Sequence, residues 1–371
     1  MPREHLSREP NNACRPFPSE VTESLERAAA ILKTASRVLL TTHVNPDGDA
    51  VGSVLALAHD LHARGIEIDV ALADPPPRYC SALPGIEWIH RAPQEQPFQI
   101  AVVCDAAGID RIGNLETVAR AADQIIEIDH HAIARPFGTI RIVDDTSFAT
   151  AELVYHLLQT MESNITPAIA TCLMMGVATD TGAFRFTNTN GRTFALATQL
   201  MDLGADLAMI MDRVYDSKTV SSIRLLQRAL GTLKCEHSFA SATLSLDDFS
   251  ASGAPQEESE GVVGHLRSLE EAQVAAVLRE AAPDSIRVSL RGRPGVNVAT
   301  IAERFGGGGH TAAAGCTINL PLADAELKLR AVVESALSSS KSALDGNGSG
   351  GSHAANSAAK PHRAQDTTCG G

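Results

Sequence analysis

Four short, almost continuously apolar runs constrain this chain more than any other feature: RVLLTT (37–42), IDVALA (68–73), IAVVCDA (100–106) and IIEIDHH (125–131). Each has the length of a strand, and none shows the strict polar alternation of a strand with one solvated face. Helical periodicity separates several of them, at 49–64 and 114–122. A further helix is expected over 21–36, with Ser19 as its N-cap and Glu20 and Glu23 in its first turn. Strands buried on both faces and joined by helices predict an α/β fold with a mostly parallel sheet. Such sheets bind ligands beyond the carboxyl ends of their strands. There His43 follows the first run, Asp105 lies at the end of the third, and Asp129, His130 and His131 end the fourth.

Beyond 147 the pattern turns helical (AELVYHLLQTM, TPAIATCLMMGVAT, FALATQLMDLG, SSIRLLQRAL) until about 230. A second, smaller α/β domain is then expected. It has a hairpin at 231–247, strands at 272–279 and 285–291, a helix at 296–304, a strand near 315–319 and a last helix at 322–337. The expected division is a disordered tail (1–18), a catalytic domain (19–190), a helical connector (191–230), a substrate-binding domain (231–337) and a second disordered tail (338–371). The tails are polar and the second is Gly/Ser-rich, with too little apolar surface to offset the entropy of ordering. No internal repeat is found.

Composition removes other classes. The seven cysteines (14, 80, 104, 172, 235, 316, 369) are scattered, odd in number and form no Cys-x-x-Cys, which argues for reduced thiols in a cytoplasmic protein. No run approaches the ~18 apolar residues of a membrane helix, and the first 20 residues lack the apolar core of a signal peptide. No membrane partner is expected. A net charge of −13 gives no basic field for long nucleic acids. With aromatics at 4%, no stacking track for long single strands is expected either. An anionic substrate would therefore be small and met by local positive charge.

The chemistry gathers in a few segments. TTHVNPDGDAVGS (41–53) places His43, Asp47 and Asp49 in a tight loop between a strand and an apolar helix; the two acids also read as turn and N-cap residues. Asp105 ends one apolar strand, and Asp129, His130 and His131 end another. Asp180 follows the buried helix ATCLMMGVAT. Neighbouring parallel strands lie about 4.8 Å apart, so these side chains converge on one sheet edge. Four converging carboxylates (Asp47, Asp49, Asp105, Asp180) call for compensating cations, and two divalent ions cancel their charge. Oxygen and imidazole donors without thiolate suit Mn²⁺, Mg²⁺, Fe²⁺ or Zn²⁺. Two such ions sharing a carboxylate, about 3.5–4 Å apart, form a clamp for phosphoryl hydrolysis. Downstream, the Gly306–Gly309 run reads as a flexible loop or as a backbone nest for an anion, with Arg291 on a neighbouring strand.

HVNPDGDAVGS, CDAAGIDRIG, IDHH and ATDTGAFRF, in this order and spacing, resemble the DHH phosphoesterase superfamily over roughly residues 25–190. SLRGRPGVNVATIAERFGGGGHTAAAG (289–315) resembles the DHH-associated domain. The combination is similar to the branch of oligoribonucleases and 3′-phosphoadenosine 5′-phosphate phosphatases. The resemblance implies an active site in the cleft between the two domains. One metal would be held by His43, Asp47 and Asp105, and a second by Asp49, Asp105, His130 and Asp180, with Asp105 bridging and Mn²⁺ the usual ion. It implies that His131 faces the scissile phosphate and that Asp129 orients a histidine; a strand-end cap is the alternative for Asp129. Arg291, Gly307, Gly308, Gly309 and His310 would grip a terminal phosphate. Arg111 and Arg185 are further phosphate candidates, or surface salt-bridge residues. In one departure, Gly292 follows Arg291 where relatives commonly carry a hydroxyl residue, which puts one phosphate contact in doubt; Arg293 is the nearest compensating cation.

The implied activity is a metal-dependent phosphoesterase, a hydrolase acting on short single-stranded RNA, pApA-type dinucleotides and the 3′-phosphate of 3′-phosphoadenosine 5′-phosphate. Relatives also form homodimers through the helical region. The alternatives are a cyclic dinucleotide phosphodiesterase, a RecJ-like single-strand exonuclease and a non-catalytic nucleotide-binding regulatory module. A RecJ-like enzyme would be expected to carry an added OB-type domain. A regulatory module would be expected to lack a metal acid, and all six expected ligands are present.

Overall fold

The computed structural model describes residues 17–93, 97–132, 135–259, 261–309 and 311–345. The chain forms two compact units that divide between Ser217 and Lys218.

The first unit is built on a six-stranded, all-parallel sheet. Its strands are β1 (Arg37–Thr42), β2 (Glu67–Ala71), β3 (Ile89–His90), β4 (Ile100–Cys104), β5 (Gln124–Asp129) and β6 (Ile140–Val143). Their order across the sheet is β3-β2-β1-β4-β5-β6. Chain order reverses between β1 and β4, and that point is where open α/β sheets open a crevice. Strand residues alternate between two cores: Val38, Leu40, Val102 and Cys104 face one side, and Leu39, Ala101 and Val103 the other. The first core is covered by α1 (Ser19–Leu32), α2 (Gly48–Ala63), α4 (Thr150–Thr160) and α5 (Pro167–Asp180); the second by α3 (Glu116–Arg120) and the turns before it. Helices α2 and α5 are apolar nearly all round because both lie inside the unit. Each Leu, Ile or Val fully withdrawn from water contributes about 1.5–3 kcal/mol.

The second unit carries a mixed sheet of β7 (Lys234–Glu236), β8 (Phe239–Leu244), β9 (Val274–Ala282), β10 (Ser285–Gly292), β11 (Gly308–Gly309) and β12 (Ala313–Ile318), ordered β11-β12-β10-β9-β8-β7. All pairings are antiparallel except β8 with β9. Helices α9 (Leu246–Ser252) and α10 (Val262–Arg267) connect β8 to β9; α11 (Ala299–Glu303) and α12 (Leu322–Asp345) follow β10 and β12.

Several details differ from the sequence expectations. The helices expected as a connector at 191–230 are shared between the two units. Helices α6 (Gly191–Asp202) and α7 (Leu207–Met211) sink Leu196, Leu200 and Ile210 into the first core. Helix α8 (Val220–Gly231) sinks Leu225 and Ala229 into the second unit. Pro18 rather than Ser19 stands at the N-cap of α1, and Phe17 already packs on the core, its ring 4.8 Å edge-on from His156. Helix α12 runs on to Asp345 instead of ending at Leu337, through a stretch free of Gly and Pro; the rest of the expected tails lies outside the described residues. Glu257 and Glu258 open a short 3-10 helix, where Glu258 accepts the hydroxyls of Thr219 and Ser221, each at 2.8 Å. Among the described residues no single helix is long and apolar enough to cross a membrane.

Candidate metal centre

The crevice between β1 and β4 is lined by the residues that end the strands. Leaving β1, the chain places His43 and then turns through Pro46 into α2. Asp47 caps that helix: its Oδ1 accepts the N–H groups of Asp49 and Ala50, both at 3.0 Å. The cap and ligand readings of Asp47 are compatible, because its carboxylate also groups with His43 and Asp105, donor atoms within 4.8 Å of one another. His43 Nδ1 lies 2.8 Å from Val44 O. A carbonyl only accepts, so Nδ1 carries a proton, and Nε2 lies 3.6 Å from Asp105 Oδ2.

Asp105 follows β4 in a left-handed conformation (φ 57°), while its N–H continues the ladder to Ile128 O at 2.8 Å. Positive φ is tolerated by Asp more than by most residues, and here it turns a nearly buried carboxylate between two groups of donors. Oδ2 faces His43; Oδ1 lies 3.7 Å from both His130 Nε2 and His131 Nδ1. His130 uses Nδ1 on Ser147 O at 3.2 Å, which leaves Nε2 3.5 Å from Asp180 Oδ2. Asp49, His130 and Asp180 form a second group with donor atoms within 4.8 Å, and Asp105, His130 and His131 a third. Asp129 stands behind them, fully buried. Its Oδ1 accepts His130 N at 2.9 Å and His131 Nδ1 at 2.6 Å, so His131 turns its Nε2 away from Asp129.

Charge crowding shows in the proton equilibria. Burial, followed by the charge of Asp105, lifts the Asp49 carboxyl to about 7. Burial and the charges of Asp49, Asp47 and Asp105 raise Asp180 well above the carboxylate range. Asp105 goes the other way: burial alone would raise it, but His43 and His130 hold it below its ordinary value. Burial disfavours the His43 imidazolium, yet the Asp105 and Asp47 charges lift its pKa to about 9. His130 and His131 are raised against the same burial penalty, His130 first by Asp105 and His131 first by its bond to Asp129. Protonated imidazoles here offset carboxylate repulsion, the role a divalent cation would take over. The donor set fits such ions: hard oxygens and imidazole Nε2 atoms, with the second nitrogen of both His43 and His130 already tied to a backbone carbonyl.

The remaining candidates fall elsewhere. Arg111 is exposed; its carbonyl accepts Val44 N at 2.7 Å and so braces the His43 loop. Arg185 donates to Gly182 O at 2.6 Å and lies 5.4 Å over the Tyr215 ring. In the second unit Arg291 lies next to the end of β10 and donates to Leu290 O at 2.9 Å. The Gly307 backbone is packed against β12, while Gly308 and Gly309 are exposed. His310 lies outside the described residues. A Cβ on Gly292 would meet Val296 O at 2.9 Å and Val298 Cγ1 at 3.0 Å, so a side chain here would force its neighbours to shift. The Arg293 guanidinium donates to Leu269 O at 2.8 Å.

Sequence reasoning missed the frame around the cluster. Thr150 N and Ala151 N, at the start of α4, donate to Asp49 Oδ2 (2.6 Å) and Oδ1 (2.9 Å), and Ser53 Oγ lies 3.3 Å from Oδ1. The Asn188 amide ties Asp180 O to Phe148 O, at 3.1 and 3.0 Å. A Thr ahead of an apolar helix reads only as a cap, and nothing local marks Ser147 or Asn188.

The chain is thus an α/β protein with a parallel sheet whose switch point gathers carboxylates and imidazoles that could hold metal ions, followed by a mixed-sheet unit. Residues 37–177 match the DHH family, N-terminal domain, and residues 238–339 match the DHHA1 domain. The chain is 34% identical over 299 residues to the bifunctional oligoribonuclease and PAP phosphatase NrnA of Thermus thermophilus, covering 80% of this chain and 89% of that one. It is 27% identical over 285 residues to the protein of the same name from Bacillus subtilis, covering 76% and 89%. A crystal structure of an exopolyphosphatase-related protein from Bacteroides fragilis superposes with a TM-score of 0.80 at 26% identity, covering 87% of this chain and 98% of that one. The chain belongs to the DHH phosphoesterase family, in the NrnA-type branch with a DHHA1 domain.

Proposed function

We propose that this protein hydrolyses short oligoribonucleotides, including pApA-type dinucleotides, and removes the 3′-phosphate of 3′-phosphoadenosine 5′-phosphate. The observation that carries the reading is Asp105, whose two oxygens face separate donor groups, Asp47 with His43 on one side and His130 on the other. The similarity to NrnA proteins named for both activities supports the substrate class.

His43, Asp47 and Asp105 would hold one divalent ion, and Asp49, Asp105, His130 and Asp180 the other, with Mn²⁺ the expected occupant. When bound, such a pair supplies Lewis-acid charge and lowers the pKa of water. The chain's own residues do the rest. His131, fixed through Nδ1 by Asp129, directs Nε2 toward the scissile phosphate and holds a proton there for the departing oxygen. In the second unit Arg291 and the backbone N–H groups of the glycine run, with His310, grip a terminal phosphate. Such a grip selects substrates with a free end close to the reacting bond.

Purified protein with Mn²⁺ is assayed in parallel on a short RNA, pApA, 3′-phosphoadenosine 5′-phosphate and a cyclic dinucleotide. Mononucleotide release from the first two, with phosphate release from the third, is the expected result. Turnover of a cyclic dinucleotide alone would replace the substrate reading. Tight nucleotide binding with no turnover of any substrate would replace it with a regulatory role.

A further inference from the structure

We infer that Thr150 is a positioning residue that sets which way each oxygen of the bridging carboxylate Asp105 points. The inference rests on the metal reading of Asp105 given above. Thr150 opens α4, an 11-residue helix, and is fully buried. Its Oγ1 donates to Asp105 Oδ1 at 2.9 Å, while its backbone N–H donates to Asp49 Oδ2 at 2.6 Å. One residue therefore holds a carboxylate from each of the two expected metal groups.

The geometry gives the hydroxyl a specific task. Asp105 presents Oδ2 to His43, 3.6 Å away, and Oδ1 to His130, 3.7 Å away. Rotation of the carboxylate about its Cβ–Cγ bond would misdirect both oxygens at once. The torsion is intrinsically soft, with a broad distribution for Asp, so an external partner has to fix it. Of the two oxygens, Oδ1 receives the Thr150 hydroxyl. The donor is itself anchored, because the α4 backbone is tied to Asp49 through both Thr150 N and Ala151 N. The adjoining loop supports the same cluster: Ser147 O accepts His130 Nδ1, and Phe148 O accepts the Asn188 amide that also holds Asp180 O. The β6–α4 loop and the start of α4 thus form a bracket behind four expected ligands, Asp49, Asp105, His130 and Asp180, and Thr150 is the member whose side chain reaches the bridge.

The test is Mn²⁺ binding by titration with detection of free Mn²⁺ by electron paramagnetic resonance, on wild type, Thr150→Val, Thr150→Ser and Asp105→Asn. Valine keeps the shape and the backbone N–H but removes the hydroxyl. Loss of a group that orients a ligand weakens metal affinity by about 10–100-fold, so that loss is expected for Thr150→Val, with Thr150→Ser restored to near wild type. Equal affinity of Thr150→Val and wild type overturns the inference. A serine variant as weak as the valine one also overturns it, because the methyl group rather than the hydroxyl would then matter. If the valine variant does not fold, Thr150→Cys, with a weaker donor of similar size, is read in its place against the same two outcomes. Asp105→Asn separates the two levels. Undiminished Mn²⁺ binding by that variant would remove the metal reading itself, whereas its loss beside an unaffected Thr150→Val removes only the role of Thr150.

Discussion

Gly176 of α5 lies so close to Asp49 of α2 that a Cβ on it would stand 2.3 Å from Asp49 Oδ1. One turn earlier along the same contact, a Cβ on Gly52 would stand 2.3 Å from Cys172 O. The two glycines let the helices approach until Asp49 reaches the N–H groups of α4.

Gly176→Ala and Gly52→Ala should therefore fail differently. Overpacking costs about 1–3 kcal/mol, and both variants should unfold some degrees below wild type. Only Gly176→Ala pushes directly on an expected ligand, so it should lose Mn²⁺ affinity by roughly tenfold or more, whereas Gly52→Ala should bind the ion nearly normally. Thermal unfolding and metal titration of the two variants side by side check this; equal metal affinity in both would refute it.

Asp129 touches His131 at 2.6 Å but belongs to none of the donor groups that fit a metal. Asp129→Asn is expected to lower kcat by about 10–100-fold, with Mn²⁺ affinity close to wild type. A comparable fall in metal affinity would instead make Asp129 part of the ion site.

The glycine run separates packing from binding. A Cβ on Gly307 would meet Gly315 O at 2.2 Å, so Gly307→Ala should destabilise the second unit. Nothing among the described residues lies within 4 Å of a Cβ on Gly308, so Gly308→Ala should melt like wild type. If a phosphate approaches that backbone closely, losing one charge-assisted bond of about 1.5 kcal/mol raises KM about tenfold. Unchanged KM in a stably folded Gly308→Ala protein would argue against the phosphate grip.

Acid stability should depend on His156 of α4. Burial, then the charge of Arg192, lowers its pKa to about 4, against about 6.5 in the unfolded chain. Below 6.5 the unfolded state takes up a proton that the folded state refuses. This contribution is therefore complete above pH 6.5 and fades as pH falls toward 4. Between pH 7 and pH 5 the Tm of wild type should drop more than that of His156→Gln. Parallel losses would show that the imidazole is protonated in the fold.

Much of the first unit was legible because strands buried on both faces must be apolar throughout: β1, β2, β4 and β5 fall within a few residues of their expected bounds. The edge strands β3 and β6 were not, being two and four residues long and only half covered. Residues 191–230 read in the sequence only as a helical stretch; packing assigns α6 and α7 to the first core and α8 to the second.

The sequence by itself determined the chemistry of the candidate centre. Polar residues at the ends of buried parallel strands can only emerge on one sheet edge, so His43, Asp105, Asp129, His130 and His131 were bound to meet there. Tertiary structure decided how they are held. Thr150, Ser147, Asn188 and Gly176 act through one or two hydrogen bonds or close approaches to residues outside their own element. Such contacts leave no periodic trace in the sequence, because they depend on how a loop and two helices pack in space rather than on the repeat of either.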